Sequence, residues 1–321
     1  VEALEQQSAT QGQITNLQQQ INNLKQQIAG LQPLMNLTCN CNDGQTVGGA
    51  LAQAGPRASQ VVIKITGVCT EAVVINRNNT VLQGVAPGAG IQAPSEDTNV
   101  LSIGAKDVIL NGLTLIGGRG VHIGSRSNVL ISNSQVLDSK FHGVTIYSAV
   151  VDFFNTTVEG SAIAGIQAMS GSILRLNKSL IQNNGFALDV ADGSFALLDG
   201  GTQLVYNEGS ASVSFGSTLQ VGNALVENNK GPAGVILTGG SVAHFGFAGG
   251  VGVISNNTGD GMLLRDTSVA SSLFEGGTAQ FIGNGGYGVS CSGYPAVAQI
   301  VDQIGTFSGN GKGDTNCPCS H

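Results

Sequence analysis

One returning tetrapeptide constrains this chain more than any other feature. From about residue 99 onward it reads "NVLS", "GVHI", "GVTI", "GIQA", "ALDV", "SVSF", "GVIL", "GMLL" and "GVSC". The first residues are Asn99, Gly120, Gly143, Gly165, Ala187, Ser212, Gly234, Gly261 and Gly288, in steps of 21, 23, 22, 22, 25, 22, 27 and 27. A period of this size, made of short strands between glycine turns, marks a solenoid. One repeat cannot bury its own apolar face, whereas stacked neighbours can. With strand alternation, the apolar second and fourth residues face inward and the third faces out.

A second column runs with the first. Asn111, Asn133, Asn155 and Asn177 are spaced 22 apart, Asp199 follows after 22 and Asn223 after 24. Asparagine tolerates the left-handed backbone of a sharp corner. Stacked at ~4.8 Å, such amides can hydrogen-bond up the column. These four asparagines are therefore expected to form a structural ladder buried in the stack. Val136, Val158 and Leu180 recur at the same spacing just beyond it.

The "GVxI" strands and the asparagine column resemble the right-handed parallel β-helix of the pectin-lyase-like family. The stretch "CNDGQTVGGALAQAGPRASQVVIKITGVCTEAVVINRNNTVLQG" is similar to the opening of secreted members. The resemblance implies an all-β solenoid of about ten or eleven coils, ~50 Å long at ~4.8 Å per coil. It also implies a short helix around Thr46 to Ala54 that covers the bottom of the barrel. The chain then divides into an N-terminal coiled-coil helix (1–34), a linker and cap (35–60), the β-helix (61–312) and a cysteine-containing tail (313–321).

Residues 1–34 differ in kind from the rest. Ile14, Leu17, Ile21, Leu24, Ile28 and Leu31 alternate spacings of three and four, which gives three heptads with Ile at a and Leu at d. Pro33 ends the helix. So narrow a seam points to self-association, as a parallel dimer or a trimer, more than to a helix lying on its own domain.

Three cysteines lie near each end, Cys39, Cys41 and Cys69, then Cys291, Cys317 and Cys319, with none in the 221 residues between. Bonded Cα atoms lie within about 7 Å, so no bridge can span the cylinder. Each end closes one disulfide, Cys69 with Cys39 or Cys41 and Cys291 with Cys317 or Cys319. One sulfur per end is left for a bond between chains. Cysteine usage points to a secreted or cell-surface protein, and the Cys-Asn-Cys and Cys-Pro-Cys gaps do not fit structural zinc.

A formal charge of −7 without a basic cluster excludes non-specific nucleic-acid binding, and no apolar run is long enough to span a bilayer. Asn36, Asn78, Asn155, Asn177 and Asn256 head glycosylation sequons.

The resemblance prompts a search for catalytic carboxylates on the outer face. The outward column reads His122, Thr145, Gln167, Asp189, Ser214, Ile236, Leu263 and Ser290, with one acid. Lys140 and His142, with Arg119 one coil below, are the nearest basic candidates. They supply neither a calcium cage nor paired aspartates, so the residues favour a non-enzyme with no cofactor and no metal. Self-assembly leads, as a head-to-tail fibre joined by the heptad helix and terminal disulfides. Two alternatives stand beside it: a polysaccharide lyase or glycoside hydrolase using Lys140, His142 and Asp189, and a coiled-coil-anchored spike that binds surface glycans.

Overall fold

The structure, a computed structural model, describes residues 16–23, 34–55, 58–272, 279–292 and 304–317. Its body is a parallel β-helix of three sheets with eleven strands each. One coil shows the plan. Asn128–Ser132 lies in sheet I, Gln135–Leu137 in sheet II and Val144–Tyr147 in sheet III, and the chain then returns to sheet I at Val150–Phe154. Every strand pairs in parallel with its equivalents in the coils above and below.

Alternation within each strand fills the cylinder. In sheet I the inward column runs Leu110, Ile131, Phe153, Leu176, Leu198, Val221 and Phe245 in register, each 1% exposed or less. Towards the C-terminal end Phe245, Phe281 and Phe307 continue the core as a ring column, with centroids 5.9 and 5.1 Å apart.

The register corrects two tetrapeptide frames. Leu101 and Ile103 pair with Val121 and Ile123, so "NVLS" is one residue out of frame. Asp189 pairs with Ser212, so Ser212 rather than Ser214 belongs to the outward column. Phe215, which the "SVSF" frame would bury, sits in a turn at φ 53° and is 69% exposed.

The asparagine ladder is also corrected. Asn133 donates to Asn111 and Asn155 to Asn133, both at 2.9 Å, but Asn133 and Asn155 are exposed at a corner. Their positive φ values, 49° and 50°, are what that corner needs. Asn111 and Asn177 occupy a different backbone position, the last residue of their strands, opposite Ser132 and Phe154. Asn177 therefore joins Asn155 through its backbone carbonyl, at 3.0 Å, and Ile181 rather than Leu180 continues the inward column of Val136 and Val158.

The buried ladder lies at the next corner, between sheets II and III. Asn184, Asn207, Asn229, Asn257, Asn284 and Asn310 stack so that each side-chain amide donates to the Oδ1 of the next at 3.0–3.1 Å. The same oxygen accepts the backbone N–H of the asparagine below. This ladder explains the repeating glycine. A Cβ on Gly165 would come within 2.9 Å of the Asn184 Nδ2, and one on Gly234 within 2.7 Å of the Asn257 Nδ2.

The N-terminal end is closed by the helix Val47–Gln53, capped by the Thr46 hydroxyl accepting from Gly49 N–H. Glu71 accepts from the N–H groups of Val47 and Gly48, which fixes the helix to the second coil. Ahead of it, residues 16–23 are helical and exposed. Leu17 and Ile21 fall there, whereas Ile14, Leu24, Ile28 and Leu31 lie outside the described residues. Among the described residues no helix is long and apolar enough to cross a membrane.

Candidate functional site

The three faces of the cylinder differ in chemistry. Outward residues of sheet I mix aliphatic side chains, such as Val62, Val81, Ile109 and Leu130, with polar and charged ones, such as Lys64, Asp152, Arg175 and Gln220. Those of sheet III form a polar floor in which His122, Thr145, Gln167, Asp189 and Ser212 stack in strict register. Gln167 donates to the Asp189 carboxylate at 2.9 Å, and the His122 and Tyr147 rings lie 6.2 Å apart.

Apolar side chains border this floor. On the side of the preceding corner Phe141, Ile163 and Phe186 climb through successive coils, tied by backbone bonds from Ile163 N–H to Phe141 O and from Phe186 N–H to Ile163 O. Ile163 and Phe186 are 41% and 43% exposed. Arg119 lies 4.5 Å over the Phe141 ring, a cation–π contact. Across the floor, Tyr147 is exposed and Met169 is its register partner. The result is a strip that repeats about every 5 Å along the solenoid axis, polar along its centre and apolar at both margins.

The sequence candidates fall in or beside this strip. His142 is half-buried next to Phe141, with its Nδ1 buried and unpartnered. Burial pushes its imidazole below the usual value of 6.5; the Asp189 carboxylate draws it up and the Arg119 guanidinium adds to the lowering. His142, Asp189 and Arg119 thus share one electrostatic neighbourhood. Lys140 sits outside it, ion-paired with Glu96 at 3.3 Å on the exposed surface.

Chemically the strip offers one carboxylate, a neutral imidazole and a guanidinium. Glycoside hydrolysis by paired acids needs a second carboxyl within roughly 5–10 Å of the first. The stacked floor from His122 to Ser212 holds Asp189 as its single acid, and that acid already accepts from Gln167.

At the N-terminal end Cys41 is bonded to Cys69, and at the other end Cys291 to Cys317. Cys39 is a free thiol, 1% exposed, with its sulfur 3.6 Å from that of Cys69. Burial, and secondarily the charge of Glu71, push that thiol above its usual range. Among the described residues these three cysteines form the one group of three or more His, Cys, Asp or Glu at mutual ligand distance, and two of them are spent in the disulfide. Cys319 lies outside the described residues.

Sequence reasoning found His122, Gln167 and Asp189 as outward residues but not the apolar margins. Their signal was present: Phe141 and Ile163 each stand two residues before the repeating glycine, and Phe186 immediately precedes Ala187.

A family model described as the right handed beta helix region matches residues 62–247. Among solved structures, the A-module of the Azotobacter vinelandii mannuronan C-5 epimerase AlgE4 is 14% identical with a TM-score of 0.52, covering 84% of this chain and 90% of that one. ORF18 of Geobacillus virus E2 is 13% identical with a TM-score of 0.51, covering 94% of this chain and 64% of the viral one. At such identities the likeness is one of fold alone. Comparison with curated proteins gives no match.

Proposed function

Since the chain belongs to the right-handed β-helix family, we propose that it is an extracellular glycan-binding protein, a spike whose sheet III strip holds a linear polysaccharide. The observation that carries this reading is the strip itself. Amide, hydroxyl and carboxylate groups run along the solenoid axis between the apolar margins of Phe141, Ile163, Phe186 and Tyr147. Sugar hydroxyls need such hydrogen-bonding partners, and the apolar faces of sugar rings need flat or aliphatic surface beside them. One neighbour in fold is named for mannuronan, a polysaccharide. Affinity electrophoresis in gels cast with linear polysaccharides tests the proposal. Retardation by at least one polymer, relieved by Phe141→Ala/Phe186→Ala, supports it; mobility unaltered in every gel contradicts it.

A second reading, a polysaccharide lyase, has His142 in its favour. A neutral imidazole beside Arg119 is suited to taking a proton next to a sugar carboxylate. An unsaturated product absorbing in the ultraviolet, lost in His142→Ala, would establish it.

The fibre reading rests on a heptad segment of which Leu17 and Ile21 alone are described, and it loses one covalent link. Cys39, the sulfur left over at the N-terminal end, is buried in the core and faces the disulfide rather than solvent. The covalent link at this end is thereby disfavoured, and Cys319, the leftover sulfur of the other end, lies outside the described residues.

A further inference from the structure

Cys39 is a buried nucleophile set against a bond it can attack. Its thiol is 1% exposed and its sulfur lies 3.6 Å from that of Cys69, which is itself bonded to Cys41. All three sulfurs fall within 4.8 Å of one another. We propose that these cysteines form a thiol relay: Cys39 displaces Cys41 from Cys69, and the thiol released at Cys41 is a modification site that takes up half of a low-molecular-weight disulfide.

That disulfide is the one reagent the two steps need. In the first, the Cys39 S–H gives up its proton and the thiolate attacks the Cys69 sulfur. A Cys39–Cys69 bond forms, the Cys41–Cys69 bond breaks, and Cys41 leaves as a thiolate that regains a proton. Nothing is oxidised or reduced overall. In the second, the Cys41 thiolate attacks one sulfur of the external disulfide, whose other half departs as a thiol. Cys41 is oxidised to the mixed disulfide, and the departing half is reduced.

Three observations favour the exchange. First, the sulfurs differ in surroundings. Cys39 and Cys69 are 1% and 3% exposed, so a bridge between them lies wholly in the core. Cys41 is half-buried at the head of the turn Cys41–Asp43, and the next residues, Asn42, Asp43 and Gly44, are exposed. Exchange thus carries the free thiol from the core to the surface. Second, both bridges staple the same parts of the fold. Cys39 and Cys41 flank Asn40, and the closed loop changes only from 28 to 30 residues, so chain entropy hardly separates the two forms. Third, ionisation favours the exchanged form. Burial, and then the charge of Glu71, hold the Cys39 thiol above its ordinary range. A thiolate at half-exposed Cys41 is solvated, whereas one at Cys39 is not. Rising pH therefore both starts the exchange and holds its product. The relay stands apart from the glycan reading, since it lies at the end of the cylinder and uses no residue of the strip.

Oxidised glutathione is the probe. The unreduced full chain is incubated with it at mildly alkaline pH and quenched in acid. The peptide carrying residues 39 and 41 is then fragmented between them, which keeps Cys319 out of the reading. The expected result is glutathione on Cys41 together with a Cys39–Cys69 bridge, formed about tenfold faster per unit of pH while the attacking thiol is mostly protonated. Neither Cys39→Ser, which keeps Cys41–Cys69, nor Cys41→Ser, which keeps Cys39–Cys69, should take up glutathione at this end. Glutathione on Cys39 beside an intact Cys41–Cys69 bond overturns the proposal. So does a wild-type chain that takes up none at this end until it is unfolded in urea.

Discussion

Asparagine has two distinct jobs in this molecule, and single residues separate them. Asn207 is fully buried; its Nδ2 lies 3.0–3.1 Å from Ile181 O, Val205 O and Asn229 Oδ1, and its Oδ1 accepts from the backbone and side chain of Asn184. Asn207→Ala strands several of these groups away from water, and should cost roughly 3 kcal/mol or more in urea unfolding. Asn133→Ala removes exposed bonds and a tolerated left-handed residue, and should cost about 1 kcal/mol. The two columns were not equally legible. A strict 22-residue spacing drew attention to Asn111, Asn133, Asn155 and Asn177, whereas the buried column steps by 22 to 28 residues as its loops lengthen. An asparagine that counts by spacing alone cannot show whether its amide points into the stack or out of it. Register decides that, and register depends on one-residue differences between coils. His142 carries the pH dependence at this scale. Its folded-state pKa is lowered by burial, so the folded protein binds that proton more weakly than the unfolded chain. Stability is complete above the usual value of 6.5 and declines as pH falls through the folded-state value. His142→Gln should flatten that decline in melting temperatures taken between neutral and mildly acidic pH. His244, lowered by burial in the same direction, leaves a residual slope.

At the scale of elements, the N-terminal cap couples a helix, a strand and a disulfide. Cys41 and Cys69 close a loop of 28 residues, worth about 3.6 kcal/mol in the chain-entropy account. Cys39 stands 3.6 Å from the Cys69 sulfur, so oxidative folding of Cys41→Ser should yield a Cys39–Cys69 bond, while Cys69→Ser should leave this end unbridged. Peptide mass mapping without reduction distinguishes the two. The sequence left the partner of Cys69 open between Cys39 and Cys41 for a physical reason: both lie one strand-end from it, and only the turn at Cys41–Asp43 swings one sulfur into bonding position. Glycine acts at this scale as well. Gly234→Ala would press a methyl group against the Asn257 amide, 2.7 Å away, and should cost about 2 kcal/mol by urea unfolding, since the stacked coil has nowhere to move.

For the whole molecule, three sheets of one solenoid carry three surfaces: mixed aliphatic and charged on sheet I, polar with apolar margins on sheet III, and the sheet II flank between them. The solenoid itself was legible from "GVHI", "GVTI" and "GIQA", because inward alternation and a near-constant period leave few other ways to bury those residues. The strip was only half legible. Its floor follows from the third residue of each tetrapeptide, but its margins come from corner residues whose direction depends on three-dimensional stacking. The account's central claim is that this strip binds a linear glycan. Calorimetric titration with a panel of neutral and acidic linear polysaccharides tests it most directly, comparing wild type with Gln167→Ala/Asp189→Ala and with Gln220→Ala on sheet I. Saturable binding to at least one polymer, weakened about tenfold or more by the sheet III pair and unchanged by Gln220→Ala, is the predicted result. Binding to none of them, or equal binding by all three proteins, would contradict it.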